Sequence, residues 1–414
     1  MNSLRLINYN IFLMDNAIFK IGKVTTKFYI PIFTSIVSFF LGILNTFQNK
    51  FEKSQKSHNL PYYGKHPFIH YFFMFLAEAA TIFVYLIQEK LTDKKNKQAK
   101  IKNEEENTLS KNIIRVLLVI LCAVLDLIGS LFDWATTISS NLYSNIFKAL
   151  FILLIVGLCV LILHLRYYRH HAIGIIIIFI GYIIDTAVNY SYKGKMNIVI
   201  YILLMSSSQL FAALQDVVEK YTMEKMFLDP LLMLAGEGFV GVIIVGISFF
   251  VIDGMDCSVE VGLCKKGEKV EDLSVSFGFL GSNYQYIIIF FCRFLVHLVY
   301  NILRVLTNFH YSPAHRVIPK TFRSFIVWLW AFIPFFGSNA YEPFLINLGT
   351  LASYLFQMIG VLIFVEVLII SVFGINKNIE EEITRREMSE FNKRIDGLIV
   401  TTKEEEDDKP IELA

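Results

Sequence analysis

Charge is the first thing this sequence lacks. Only 18% of its 414 residues are Asp, Glu, Lys or Arg, against about 25% in an ordinary soluble domain. The net charge of +2 gives no sign of a nucleic-acid partner. Cysteine is also scarce: there are five, and none stands at metal-ligand spacing. No Gly-rich phosphate loop follows a strand, and no Ser/His/Asp or Cys/His set has convincing spacing. Neither metal, cofactor nor enzymatic activity is therefore expected. Residues 1–28 lack an apolar core followed by a small-residue cleavage site, so no cleavable signal peptide is expected. They set Arg5, Lys20, Lys23 and Lys27 against Asp15, a basic and weakly amphipathic tail. No stretch alternates in the manner of a membrane barrel.

What is present in excess is apolar surface. Hydrophobic residues make up 55% of the chain, with 38 Phe, and the mean hydropathy is +0.54. These values describe an integral membrane protein whose first partner is the lipid bilayer. A span needs about 20 predominantly apolar residues. Ten stretches qualify: about 29–47, 68–90, 113–134, 140–162, 171–191, 197–219, 231–252, 284–308, 315–336 and 344–374. The last is long enough to tilt or to leave the bilayer. The expected fold class is all-α, with ten transmembrane helices.

Orientation follows from Lys and Arg in the connections. With the N-terminus inside, inside segments carry 21 of them and outside segments 9. Both termini are thus expected on the same, positive side. Residues 88–111 form a charged inside loop, and 376–414 a charged tail in which Glu381/Arg385 and Glu382/Arg386 stand at helical i,i+4 spacing. The tails could carry contacts in a homodimer or with other subunits of a membrane complex. Cys122, Cys159 and Cys292 lie in apolar runs and are expected as small buried hydrophobes. Cys257 and Cys264 share the polar loop DGMDCSVEVGLCKKGEKVED. They form a disulfide if that loop faces an oxidising compartment, or stay as two thiols.

Polar residues inside the spans fall on faces. Asp126, Ser130 and Asp133 share one face of the third span; Gln209, Asp216 and Glu219 share one face of the sixth. Arg293, His297, Asn301, Arg304 and Asn308 line the eighth, and Arg316, Lys320 and Arg323 the ninth. Two readings stay open. The charges pair internally, with Arg316, Lys320 and Glu219 reaching outwards to the interface. Or they line a water-accessible cavity at mid-membrane that binds a polar or anionic solute. Lone groups such as Glu366 and Lys148 are expected to be structural. Glycines, among them Gly129, Gly181, Gly236, Gly238 and Gly241, are expected to permit close helix approach.

The stretch QLFAALQDVVEKYTMEKMFLDPLLMLAGEGFVGV, residues 209–242, carries a resemblance. It is similar to the sixth-to-seventh-helix signature of solute carrier family 35, subfamily F, nearest to its sixth-member branch, in the drug/metabolite transporter superfamily. Gln209, Gln215, Glu219, Lys220, Pro230, Gly236, Glu237, Gly238 and Gly241 are the shared elements. GILNT (42–46, with Asn45), HPF (66–68), MFLAE (74–78, with Glu78), LDLIGS (125–130) and YSPAHRVIPKTFRSFIVW (311–328) agree in order. The resemblance covers roughly residues 29–374. It departs at the fourth helix, which reads SSNLYSNIFKALF, and at Lys320, where the family usually has an acid.

The resemblance implies two inverted five-helix repeats, 29–192 and 193–374, flanked by tails 1–28 and 375–414, with a polar loop at 253–283. It implies alternating access, with the solute path between the repeats. The expected function is secondary transport or exchange of a polar or anionic small-molecule solute, in the manner of nucleotide-sugar transporters. The alternative is a transport-inactive subunit with an assembly role. Expected solute-binding residues are Asn45, Glu78, Asp126, Asp133, Gln209, Gln215, Asp216, Arg293, Arg304, Arg316 and Lys320. A lysosomal or Golgi-like endomembrane is the expected location, with the mitochondrial inner membrane as the alternative.

The charge asymmetry makes a direct forecast. Residues 92–110 and 380–410 should share one side of the membrane, opposite 257–264. Impermeant maleimide should label cysteines placed in the first two segments together, and native Cys257 and Cys264 from the other side. Labelling of 92–110 from the same side as 257–264 would overturn the orientation.

Overall fold

The computed structural model describes residues 19–21, 29–54, 67–93, 109–139, 144–193, 198–253, 255–256, 273–282, 284–330 and 344–370. Almost all of them are helical. In chain order the helices are α1 (Tyr29–Ser54), α2 (Pro67–Ala79), α3 (Thr81–Asp93), α4 (Leu109–Ser139), α5 (Ser144–Leu163), α6 (Arg169–Lys193) and α7 (Ile198–Lys225). They continue with α8 (Pro230–Ile252), α9 (Leu273–Ser282), α10 (Tyr284–His310), a 3-10 turn (Pro313–Arg316), α11 (Val317–Trp330) and α12 (Phe344–Phe364). Each of the ten apolar stretches is helical over most of its described length. Six regions are long and apolar enough to cross a membrane: 68–91, 110–133, 169–188, 230–252, 287–310 and 346–364. The chain is a multi-pass membrane protein.

The outward faces explain that solvent. On α8, Phe239, Ile243, Ile247 and Phe250 repeat at helical spacing and are all exposed, Phe250 to 92%. On α4, Ile113, Val116, Leu117 and Ile120 do the same. Stripes of this kind are covered by lipid rather than water.

Two stretches depart from the sequence expectation. The second span is not one helix. It breaks at Ala80 into α2 and α3, and the Thr81 hydroxyl donates to the carbonyl of Glu78 at 2.6 Å and to that of Leu231 at 3.4 Å. A hydroxyl that takes a helical carbonyl bends the helix locally. The tenth stretch does not run on to 374. α12 stops at Phe364, and Glu366 adopts φ 61°. Its N–H reaches Ile363 O at 3.2 Å and that of Val367 reaches Leu362 O at 2.9 Å, the paired bonds of a left-handed helix stop. Residues Leu368–Ile370 (β2) then pair antiparallel with Phe19–Ile21 (β1), Lys20 opposite Ile369. The class is therefore helical with one small ribbon.

The chain divides into two compact units. The smaller comprises 1–24, 167–174 and 362–414, the larger 25–166 and 175–361. In the smaller, His170 Nε2 lies 2.9 Å from Glu366 Oε1, the His170 and His171 rings stand 4.0 Å apart, and the Phe364 ring meets His171 edge-on. Glu366 thus lies against His170 where the chain turns, in keeping with its expected structural role. Lys148, paired with it in that expectation, has a side chain outside the described residues.

In the larger unit, α7 packs on α4, α5, α8 and α10, while α8 packs on α2, α3, α4 and α10. Two apolar clusters hold these contacts: Cys122, Met223, Met233, Leu234 and Val305; and Phe68, Phe75, Leu127 and Val245. A third, of Ile152, Ile178, Tyr182, Val317 and Val361, joins α5, α6, α11 and α12. Cys159 is also buried, but Cys292 is exposed. It lies on the outward side of α10 beside Phe291 and Leu295, where an apolar environment means lipid rather than core.

The closest approach is between α2 and α8. A Cβ at Gly238 would fall against the Ala79 amide nitrogen and the Glu78 carbonyl carbon. Both are backbone atoms that cannot swing away. Gly238→Ala should therefore lower stability by about 2–3 kcal/mol, the upper range for overpacking. A Cβ at Gly246, about two turns further on, meets nothing within 4 Å. Gly246→Ala should be neutral or gain up to about 1 kcal/mol. Thermal unfolding of both variants in detergent checks the contrast; equal effects would remove the proposed contact.

Candidate functional site

Close packing of α2 on α8 brings two acids to one place. The start of α8 is set by Asp229, whose side chain accepts from the N–H of Leu231 at 2.8 Å and of Leu232 at 3.4 Å. Pro230 occupies the first turn, where its missing N–H is not needed. Two turns later Glu237 faces Glu78 of α2, across the gap that Gly238 keeps narrow.

Helix α7 supplies the third side. Gln215, Asp216 and Glu219 project from consecutive turns and are buried. Helix α10 supplies the fourth through Asn301, Arg304 and Asn308, at i, i+3 and i+7. The Arg304 Nη2 lies 3.1 Å from Glu219 Oε1, 3.6 Å from Glu237 Oε2 and 3.8 Å from Glu78 Oε1. One guanidinium thus reaches carboxylates on three other helices. The amides complete the set. Asn301 donates to Glu78 Oε1 at 2.9 Å, and Gln215 donates to Glu237 Oε1 at 2.5 Å and to Glu219 Oε1 at 3.2 Å. Asn308 donates to Glu219 Oε2 at 3.0 Å and to the Asp216 carbonyl at 2.8 Å. Arg316, at the end of the 3-10 turn, forms an ion pair with Asp216. Asp126 of α4 accepts from Ser130 at 3.3 Å and lies within electrostatic reach of Arg304 and Arg316.

Burial makes the charges matter. Glu219 and Glu237 are 0% exposed, Glu78 and Asp216 1%. One carboxylate oxygen from each of Glu78, Asp126 and Glu237 lies within 4.8 Å of the others. Unit charges at that separation repel by roughly 3.5 kcal/mol per pair at an effective dielectric near 20, so roughly 10 kcal/mol for three pairs. That matches the whole folding free energy of about 5–15 kcal/mol. Arg304 offsets part of it, but the same group also serves Glu219. Among the described residues, Glu78, Asp126, Asp216, Glu219 and Glu237 formally oppose only Arg304 and Arg316. The arrangement can hold a polar solute by hydrogen bonds, exchange an ion pair for a solute group, or take up positive charge.

The network contains six of the residues expected from sequence: Glu78, Asp126, Gln215, Asp216, Arg304 and Arg316. The others lie elsewhere. Gln209 is half-buried on α7, before the network. Asp133 lies at an exposed position of α4, within reach of Tyr71. Arg293 Nη1 approaches His70 Nδ1 at 3.4 Å and its Nε approaches His297 Nε2 at 3.4 Å. Lys320 Nζ sits 3.2 Å from the centre of the Phe151 ring, a cation–π contact. Arg316, expected as one of the groups reaching outwards, is buried instead, as its pairing with Asp216 requires. The side chain of Asn45 lies outside the described residues, as do Cys257 and Cys264.

Glu219 corrects an expectation. By sequence it sits far enough along the sixth span to reach the interface; in the structure it is wholly buried and bonded to Arg304, Gln215 and Asn308. Its neighbour Lys220 is buried too, donating to the Phe309 carbonyl at 2.7 Å and pairing with Glu224 at 2.8 Å. Both are covered because α7 continues past them, with Thr222 and Met223 buried as well. Glu237, named from sequence as an element of the family signature, packs against α7 through Gln215. The signal for a larger role was an acid flanked by glycines, GEG, in an otherwise apolar run.

No protein-family model matches the chain, and no curated protein is significantly similar to it. The assignment of a role therefore stands on the geometry.

The Arg316–Asp216 pair can be tested alone. Arg316→Met and Asp216→Asn should each destabilise by about 3–5 kcal/mol, since each strands a buried charge. The double variant should lose clearly less than the sum, with a coupling of at least about 1.5 kcal/mol. Unfolding in detergent measures all three; strictly additive losses would dissolve the pair.

Proposed function

We propose that the chain is a secondary transporter or exchanger of a polar or anionic organic solute, working by alternating access. The observation that carries this reading is the buried network itself. Ionisable groups within membrane spans are rare, face the interior and mark solute or ion pathways. Here they come from five helices and a 3-10 turn, and Glu78, Asp126, Glu237 and Arg304 all fall inside regions long enough to cross a membrane. The break at Ala80, two residues after Glu78, adds to the case, since discontinuous helices flank binding sites in inverted-repeat transporters.

On this reading the chain is a solute carrier family 35, subfamily F relative, with ten spans in two inverted repeats and no enzymatic activity. Its home is an endomembrane with both termini on one side. Arg304 would meet an anionic group of the solute and exchange one of its glutamate partners for it. Gln215, Asn301 and Asn308 would supply neutral donors.

One observation favours a second reading. Arg304 and Arg316 already have carboxylate partners, which is what a closed, transport-inactive subunit would show. Uptake decides between them. Purified protein in proteoliposomes should accumulate at least one solute from a panel of nucleotide sugars, organic anions and amines. Gln209→Leu, which removes an uncharged contact ahead of the network, should fold normally and lower the initial rate about tenfold, the equivalent of one hydrogen bond to solute. Failure of the wild type on every solute, in both uptake and counterflow, would favour the subunit reading.

A further inference from the structure

The carboxylates outnumber the cations, and two of them keep an oxygen without a hydrogen bond. Glu78 and Glu237 each have Oε1 held by a neutral amide, from Asn301 and Gln215 respectively. Each leaves Oε2 buried with no hydrogen-bond partner. Asp126 stands beside them, and one oxygen from each of the three residues lies within 4.8 Å of the others. Cations bound at 2.3–2.6 Å by several oxygens place opposite ligands about 4.6–5.2 Å apart. The donor set contains only carboxylate oxygen, which suits hard cations and protons and not soft metals. Arg304 is poorly placed to fill the role. It stands 3.6 Å from Glu237 and 3.8 Å from Glu78 but closest to Glu219, and its Nε has no hydrogen-bond partner.

We propose that Glu78, Asp126 and Glu237 form a binding site for a small cation, delivered either as a hard metal ion or as protons. The charge added there offsets part of the negative charge that Arg304 and Arg316 leave over. It also frees Arg304 to hold Glu219 alone. Among the described residues, the titratable and charged groups facing the site are Arg304 of α10, Glu219 of α7, Arg316 of the 3-10 turn with its partner Asp216, Cys122 of α4 and Tyr71 of α2. None of these adds a second cation within reach of the free oxygens. The site follows from the carboxylate geometry alone. Its use as the coupling site, where cation release drives solute movement, rests on the transporter reading.

The test needs no transport. Full-length protein in detergent is unfolded thermally at constant ionic strength in choline chloride, following tryptophan fluorescence. One arm replaces choline by Na⁺, K⁺, Mg²⁺ or Ca²⁺ at pH 7.5. The other lowers the pH to 5.5 in choline alone. A Tm rise of about 4 °C or more in the first arm identifies a metal cation; a rise only in the second identifies protons. Asp126→Asn should abolish either rise and be at least as stable as the wild type in choline at pH 7.5. Glu78→Gln serves the same purpose if that variant fails to fold. A Tm indifferent to both arms overturns the proposal. So does a cation-dependent rise that persists in a folded variant, because the site would then lie elsewhere. If the rise is present but uptake is absent, the cation site stands and only its coupling role falls.

Discussion

A single guanidinium organises the interior of this protein. Arg304 projects from α10 and meets carboxylates from α2, α7 and α8 within 3.8 Å. It cannot shed its proton at any relevant pH, so its charge must be met by protein. Meeting it forces three helices to converge. They can do so only because Gly238 lets α8 lie against the backbone of α2, and because Gln215, Asn301 and Asn308 donate neutral hydrogen bonds to the same carboxylates. Each of these residues makes sense only through the others.

The larger unit is therefore ordered from the inside by polarity and bounded outside by apolar surface. In a soluble protein the pattern is reversed, and the hydrophobic effect drives assembly. In lipid that drive is absent between helices, and packing together with interhelical hydrogen bonds must substitute. The three apolar clusters pack where helices meet, while the outward rows of α4 and α8 face the acyl chains. A network of this kind is adaptable. Arg304 has three acidic partners at 3.1–3.8 Å, none in bidentate geometry, so a solute anion or a bound cation could change the partner without breaking the fold.

Some of this arrangement was visible in residue spacing. The apolar stretches located the helices, and the i, i+3, i+7 rule placed Asn301, Arg304 and Asn308 on one face. Periodicity could not say which acidic face meets which basic one. The nearest partners of Arg304 and Arg316 come from α7, α8 and α2, whereas Asp126 of α4 stands further back. Arg293 and Lys320 obey the same spacing and yet meet histidines and a phenylalanine ring. Nor could it find His170 and Glu366, which lie almost two hundred residues apart and come together only where a left-handed helix stop turns the chain into a strand.

By itself the sequence determined the solvent and the elements. Too few charges and too many apolar runs leave no stable aqueous fold, and runs of that length satisfy their backbone groups in lipid only as helices. The tertiary structure decided what each buried charge is for. A side chain's face is a local property, set by 3.6 residues per turn. Its partner is set by how closely two helices approach, and here that rests on a missing side chain at Gly238, on a kink at Ala80 and on the length of α7 beyond Glu219. These are distances between segments remote in the chain, and only the folded molecule contains them.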